Sequence, residues 1–259
     1  MKYRIKAIIS GNVVEVYHYE HRISTGKDGK KSKGGSKALN TECEEGEREL
    51  RDAKNLNDSL RRTKQNLRRT INSNIGKWGE KDKFLTLTFA ENMTDQAVTN
   101  ELFSDFMKRL NYRVFKSKKA QLKYVCVVER QERGAIHYHV VFFNLPFIEA
   151  NEIASVWGHG FIKVNAIDDV DNMGAYVVKY MSKTAVQDSE KSAKEKNKKL
   201  YFVARGLHKP VEYCDSTEEG QINIATIRFE FADQKVYQNS FSNEHTGLVE
   251  YEQYNLGRK

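Results

Sequence analysis

The chain has 259 residues, which allows one sizeable catalytic domain with extensions or two small domains. Lys and Arg outnumber Asp and Glu by 43 to 35, and the net charge of +8 favours polyanionic partners, nucleic acid ahead of membranes. The opening "MKYRIKAIIS" lacks a signal-peptide core, and the longest apolar run, Tyr124–Val128, falls far short of the ~20 residues that cross a bilayer. Cys43, Cys126 and Cys214 are odd in number with no CxxC spacing, which sets aside a disulfide framework and a cysteine zinc site and makes a reducing cytoplasm the expected compartment.

Residues 2–23 alternate apolar and polar side chains around Gly11 and Asn12, the pattern of a β-hairpin. "STGKDGKKSKGG" at 24–35 has no apolar residue and reads as a basic loop, so residues 1–45 form a first segment. From 47 to 75, Leu50, Ala53, Leu56, Leu60, Leu67, Ile71 and Ile75 place one apolar stripe on a long helix, and residues 46–77 form a second segment. Arg61, Arg62, Lys64, Arg68, Arg69 and Lys77 follow one another on it with no acid between them. Such a face suits DNA phosphates, and it equally suits the solvated side of a packing helix.

"KFLTLTFAEN" (83–92) then alternates as a strand, and 95–116 read as a helix with Leu102, Phe103, Phe106, Met107 and Leu110 on one side. "LKYVCVVE" (122–129) and "AIHYHVVFFNL" (135–145) read as an antiparallel strand pair joined by a charged turn containing Gly134, with Pro146 closing the second. A helix over 148–157, a strand over 160–167 and a helix over 169–186 follow. A Lys-rich polar run fills 186–199, and beyond it "LYFVARGL", "INIATIRFEFA" and "LVEYEQY" read as extended segments. This order predicts an α+β fold, a central antiparallel sheet with helices on its faces.

Two features carry chemistry. Side chains at i and i+2 of a strand leave the same face, so His137 and His139 converge as a two-imidazole clamp for a divalent ion. Glu129 ends the preceding strand, and the turn returns it beside them; a carboxylate makes the donor set harder and tolerant of Mg²⁺ or Mn²⁺. In "GAYVVKYMSK" (174–183), Tyr176 and Tyr180 lie four residues apart on one helix face, as do Lys179 and Lys183. A phenol ionises near 10, so a tyrosine nucleophile needs a cation beside it; ordinary core packing is the competing use of such spacing.

Three stretches in this order resemble the HUH endonucleases that initiate rolling-circle replication of plasmids and single-stranded DNA phages: "FLTLTF" (84–89), "ERQERGAIHYHV" (129–140) and "YVVKYMSK" (176–183). "WGHGFIKV" (157–164) and "YFVARGLHKP" (201–210) are also similar to such initiators, so the likeness spans about residues 83–210. The resemblance implies an RRM-like, ferredoxin-like catalytic domain over 78–215; the extended segments beyond it, which match nothing in that group, are expected to form a β-rich extension over 216–259. It implies that His137, His139 and Glu129 hold Mg²⁺ or Mn²⁺. Tyr180 would attack the scissile phosphate of single-stranded DNA, leaving a 5′-phosphotyrosine and a free 3′-hydroxyl. Tyr176 would perform the second transfer, and Lys179 and Lys183 would neutralise the phosphate or the leaving oxygen. G-x-x-x-x-G-K-[ST] is absent, so unwinding is left to a host helicase.

A mobilisation relaxase usually carries its tyrosine near the N-terminus, before three clustered histidines, whereas here the tyrosines follow. An HUH transposase shares the motif order without the paired tyrosines. A non-catalytic DNA-binding protein would need the basic helix and leave the His, Glu and Tyr set unexplained. His18, His21 and His159 are read as non-ligands, and residues 1–77 as the part that reads the origin duplex.

Overall fold

A computed structural model describes residues 2–24, 45–167, 172–189 and 199–257. The expected basic loop and most of the Lys-rich run lie outside these residues. In chain order the elements are β1 (Lys2–Ser10), β2 (Val13–Ser24), α1 (Glu45–Asn72), β3 (Lys83–Leu87), α2 (Gln96–Phe115), β4 (Tyr124–Arg130), β5 (Ile136–Phe142), α3 (Ala150–Trp157) and β6 (Ile162–Ala166). They continue with α4 (Met173–Ser189), β7 (Tyr201–Val203), β8 (Val211–Cys214), α5 (Glu218–Glu230), β9 (Lys235–Asn243) and β10 (Gly247–Asn255). The fold is α+β: among the described residues, two antiparallel five-stranded sheets stand with five helices beside them. None of these helices is long and apolar enough to cross a membrane.

The chain divides into two compact units, Leu60–His208 and a second made of residues 1–59 with 209–259. In the second unit the strand order is β8-β1-β2-β10-β9. The hairpin forms as expected, with Gly11 at φ 59° in the position where a two-residue turn favours glycine. The N-terminal hairpin and the C-terminal strands, expected as separate extensions, share this one sheet, because β10 pairs with β2 from Val249 opposite Tyr19 to Asn255 opposite Val13.

One stretch there departs from its expected conformation. "INIATIRFEFA" alternates as a strand would, yet residues 218–230 form α5. Thr217 accepts the Gly220 N–H at the helix start, Glu218 and Glu219 sit where the helix dipole favours acids, and Ile224 and Ile227 bury one face against Ala7, Val14 and Val16. Cap and tertiary burial outweigh the period-two pattern.

In the unit Leu60–His208 the order is β6-β3-β5-β4-β7. Alternation along β5 divides its side chains between two cores. Ile136, Tyr138, Val140 and Phe142 pack with Phe103, Phe106 and Leu110 of α2 and Trp157 of α3. Val141 and Phe143, with Val125 and Val127 of β4, pack against Leu67 and Ile71 of α1 and Met173, Val177 and Met181 of α4. Each fully buried Phe or Leu contributes about 1.5–3 kcal/mol, which makes a sheet buried on both faces a stiff platform.

Only the second half of the α1 stripe is buried. Leu67 and Ile71 are enclosed, whereas Leu50 is 74% exposed and Leu56 is exposed as well. The buried part of the stripe is the part that belongs to this unit, since the first half of the helix, to residue 59, groups with the other.

Candidate active site

Strand register gathers the first part of the site. Glu129 of β4 stands opposite His137 of β5, and Thr86 of β3 stands opposite His139. All three of Glu129, His137 and His139 are buried, on the face that carries α1 and α4. A buried carboxylate needs a partner, and the Oε2 of Glu129 has one in His139 Nε2 at 2.7 Å. On the other side of the ring, Nδ1 lies 3.2 Å from the Thr86 hydroxyl. A neutral imidazole that donates from Nε2 to the carboxylate accepts at Nδ1 from Thr86, so both ring nitrogens are used and the ring plane is fixed. Burial pushes the pKa of His137 below its ordinary value, an effect that Glu129 partly offsets, which favours the neutral ring with a lone pair.

Helix α4 delivers the tyrosines, and a polar lock sets its position. Asn72, near the end of α1, accepts the Gly174 N–H at 2.8 Å and donates to Asn172 Oδ1 at 2.9 Å. Asn172 Oδ1 also accepts the Ala175 N–H at 2.9 Å, the bond of a helix N-cap. Gly174 is needed for this approach: a Cβ there would meet the Arg68 carbonyl oxygen and, at 2.8 Å, Asn72 Oδ1. Asn74 reinforces the end of α1 by donating to the Thr70 and His208 carbonyls and accepting from Trp78 Nε1 and the His208 N–H.

The result is a stack of rings. Tyr180 lies on the face of His139 with ring centroids 3.7 Å apart, and Phe84 of β3 stacks on His139 at 5.8 Å. The Tyr180 hydroxyl donates to the Tyr176 hydroxyl at 3.0 Å. Burial, the hydrogen bond to Tyr176, and the charge of Glu129 all push the Tyr180 phenol well above its ordinary pKa. The phenol is thus held in its neutral form, and ionising it would call for a cation beside it. Tyr176 is 37% exposed, at the outer edge of the stack.

The residue types fit a hard divalent ion: two imidazoles and a carboxylate on neighbouring strands, with the second nitrogen of His139 held by Thr86. The side chains stand paired with each other, and among the described residues no group of three or more His, Cys, Asp or Glu is gathered in metal-holding geometry. An ion bound by both Glu129 and His139 would have to replace their mutual hydrogen bond.

Of the other expected residues, Lys179 is exposed on α4, and Lys183 lies on the same helix with its side chain outside the described residues. Arg61 and Arg62 are exposed on α1, whereas Lys64, Arg68 and Arg69 are half-buried; Arg61, Arg62, Arg68 and Arg69 have partners within the chain. His159 packs against Trp157 and Phe89, on the opposite sheet face from the tyrosines, and His18 pairs with Glu250. Sequence reasoning misses Thr86, Phe84 and the Asn72–Asn172–Gly174 lock as parts of the site. The alternation in "FLTLTF" puts Phe84 and Thr86 on one face, which is the signal that points to them.

Residues 82–185, about two fifths of the chain, match the family of replication-associated proteins of the ORF2 type. The matched stretch contains all three motifs that carry the resemblance to replication initiators, and it fits a role in DNA replication. No curated protein and no solved structure matches the chain significantly.

Proposed function

We propose that the chain is a replication initiator that nicks single-stranded DNA at an origin by metal-assisted tyrosine attack and later rejoins the strand. The observation that carries this reading is the contact of Tyr180 with His139, whose Nε2 is held by Glu129: groups from β4, β5 and α4 lie together, which supports a shared role. His137, His139 and Glu129 would hold Mg²⁺ or Mn²⁺, which when bound would polarise the scissile phosphate as a Lewis acid.

The Tyr180 oxygen attacks phosphorus, an O–P bond forms, and the bond from phosphorus to the 3′-oxygen breaks. The phenol proton leaves along the hydrogen bond to the Tyr176 hydroxyl, whose exposed edge passes it to water, and the departing 3′-oxygen takes up a proton from solvent. Lys179 supplies positive charge at the mouth, and Lys183 is proposed for the same role. In the second transfer Tyr176 is the attacking group. Its greater exposure favours a variant reading in which Tyr176 acts first.

The test uses labelled single-stranded DNA from the protein's own replicon. Cleavage should depend on Mn²⁺ or Mg²⁺, stop with a chelator, and leave a 3′-end that a polymerase extends. Cleavage unaffected by chelation, or a 3′-phosphate end that cannot be extended, would overturn the reading; binding without cleavage would favour a non-catalytic DNA-binding protein.

A further inference from the structure

A second cationic feature stands apart from the tyrosine site. Between Asp105 and Glu129 the sequence carries seven Lys and Arg residues and no acid. Three of these, Lys108, Arg109 and Lys118, line a cavity of about 660 Å³ beside the C-terminal half of α2, within the range of small-ligand sites, about 300–1,000 Å³. Its buried lining is Met107, Asn111 and Leu122, with Tyr124 half-buried beside them, while Arg109, Tyr112 and Lys118 line it from the exposed side. Met107 and Leu122 belong to the core on the α2 face of the sheet, so the cavity lies on the opposite face from Tyr180.

The loop after α2, residues 116–122, carries Lys116, Lys118 and Lys119 at the cavity's edge and is held in place. Asn111 is buried and makes four hydrogen bonds to it: Nδ2 donates to the Ser117 and Lys119 carbonyls at 2.8 and 2.9 Å, and Oδ1 accepts the Gln121 and Leu122 N–H groups at 2.8 and 3.1 Å. Lys116 turns the chain out of α2 in a left-handed conformation at φ 52°, its N–H bonded to the Tyr112 carbonyl. Lys118 and Lys119 are therefore exposed cations on a pinned backbone. Tyr112 offers a ring that is 54% exposed, and Lys108 pairs with the exposed Asp105.

We propose that this cavity and its basic rim bind single-stranded DNA, with an unpaired base against Tyr112 and the apolar lining and the flanking phosphates on Arg109, Lys118 and Lys119. Fixed positive charge that tracks a backbone, combined with an exposed aromatic ring over an apolar floor, is the combination that holds single strands without reading sequence. The charge complementarity favours phosphates: the carboxylates beside this region, Asp105 and Glu152, are paired with Lys108 and Arg113, and Lys118 and Lys119 stand exposed on the loop. The inference rests on the reading of the chain as a DNA-handling protein, and it adds a strand-holding site outside the tyrosine centre.

The experiment uses the full chain and a fluorescent 15-residue oligothymidylate carrying one 5-iodouracil. Photocrosslinking followed by peptide mapping should mark Tyr112 or Tyr124 as well as the tyrosine site. Tyr112→Ala, and separately Lys118→Glu with Lys119→Glu, should weaken binding about tenfold. The charge variant should also flatten the dependence of affinity on salt by about 0.7 per lost phosphate contact. Both variants should still cleave a short origin strand at saturating DNA. Crosslinks confined to the tyrosine face, with unchanged affinity in both variants, would overturn the proposal and leave the nicking reading intact. Loss of cleavage in the wild type with the crosslinks and affinity changes retained would overturn the nicking reading alone. Binding of a labelled polyglutamate peptide at Tyr112 in preference to the oligonucleotide would overturn it in favour of an acidic protein partner.

Discussion

His139 shows how one side chain is made ready by its neighbours. Its Nε2 faces Glu129, its Nδ1 faces Thr86, and its ring is covered by Tyr180 on a face that Phe84 also lines. If the ring serves as a metal ligand, the Thr86 hydroxyl is the group that keeps Nε2 turned to the ion. Thr86→Val preserves the shape of the side chain and removes that hydrogen bond, so Mn²⁺ affinity measured by calorimetry should fall about 10–100-fold while the fold is kept. Unaltered affinity would show that His139 is oriented by packing alone. Tyr180 makes the companion point. Its phenol is pushed up by burial, by Tyr176 and by Glu129, so the side chain is held neutral, and the attack proposed for it calls for a cation beside the oxygen.

At the scale of elements, the decisive contact is the crossing of α4 over the end of α1. Gly174→Ala would drive a methyl group into the Arg68 carbonyl and Asn72 Oδ1, forcing the helices apart. The expected cost is about 1–3 kcal/mol in chemical denaturation, together with slower cleavage as Tyr180 moves off His139. A variant with wild-type stability and rate would mean that the lock does not position the tyrosines. The strands of this unit are legible in the sequence because β3 alternates and β4 and β5 are short apolar runs joined by a charged turn, and the period of two along a strand gives the shared face of His137 and His139. The lock is not legible, since Asn72 and Asn172 are 100 residues apart and nothing local marks them as partners. Asn111 is a similar case, a single buried amide that organises the loop after α2. Helix α5 escapes sequence reading for the opposite reason: its local pattern is clear and points to a strand, and only the Thr217 cap and burial against β1 and β2 reveal the helix.

At the scale of the whole molecule, the expected division of labour needs redrawing. The sequence groups residues 60–77 with an N-terminal segment that reads the origin, yet Leu67, Ile71 and Asn72 belong to the core and the lock of the unit Leu60–His208. Deleting residues 1–77 would therefore remove part of the site's own support. A fragment spanning Leu60–His208 keeps both cores of that unit, and it should fold and cleave single strands while losing preference for the origin, as read by competition with unrelated DNA. A fragment that retains the preference would assign origin reading to this unit instead. The most direct test of the central claim is to trap the full chain on its origin strand with Mn²⁺, digest with trypsin and locate the DNA remnant by mass spectrometry. Lys179 stands between the two tyrosines, so trypsin separates them cleanly. The remnant is expected on the peptide Tyr180–Lys183, formed also by Tyr176→Phe and absent from Tyr180→Phe. Cleavage that proceeds in Tyr180→Phe with no DNA attached to either peptide would contradict that claim.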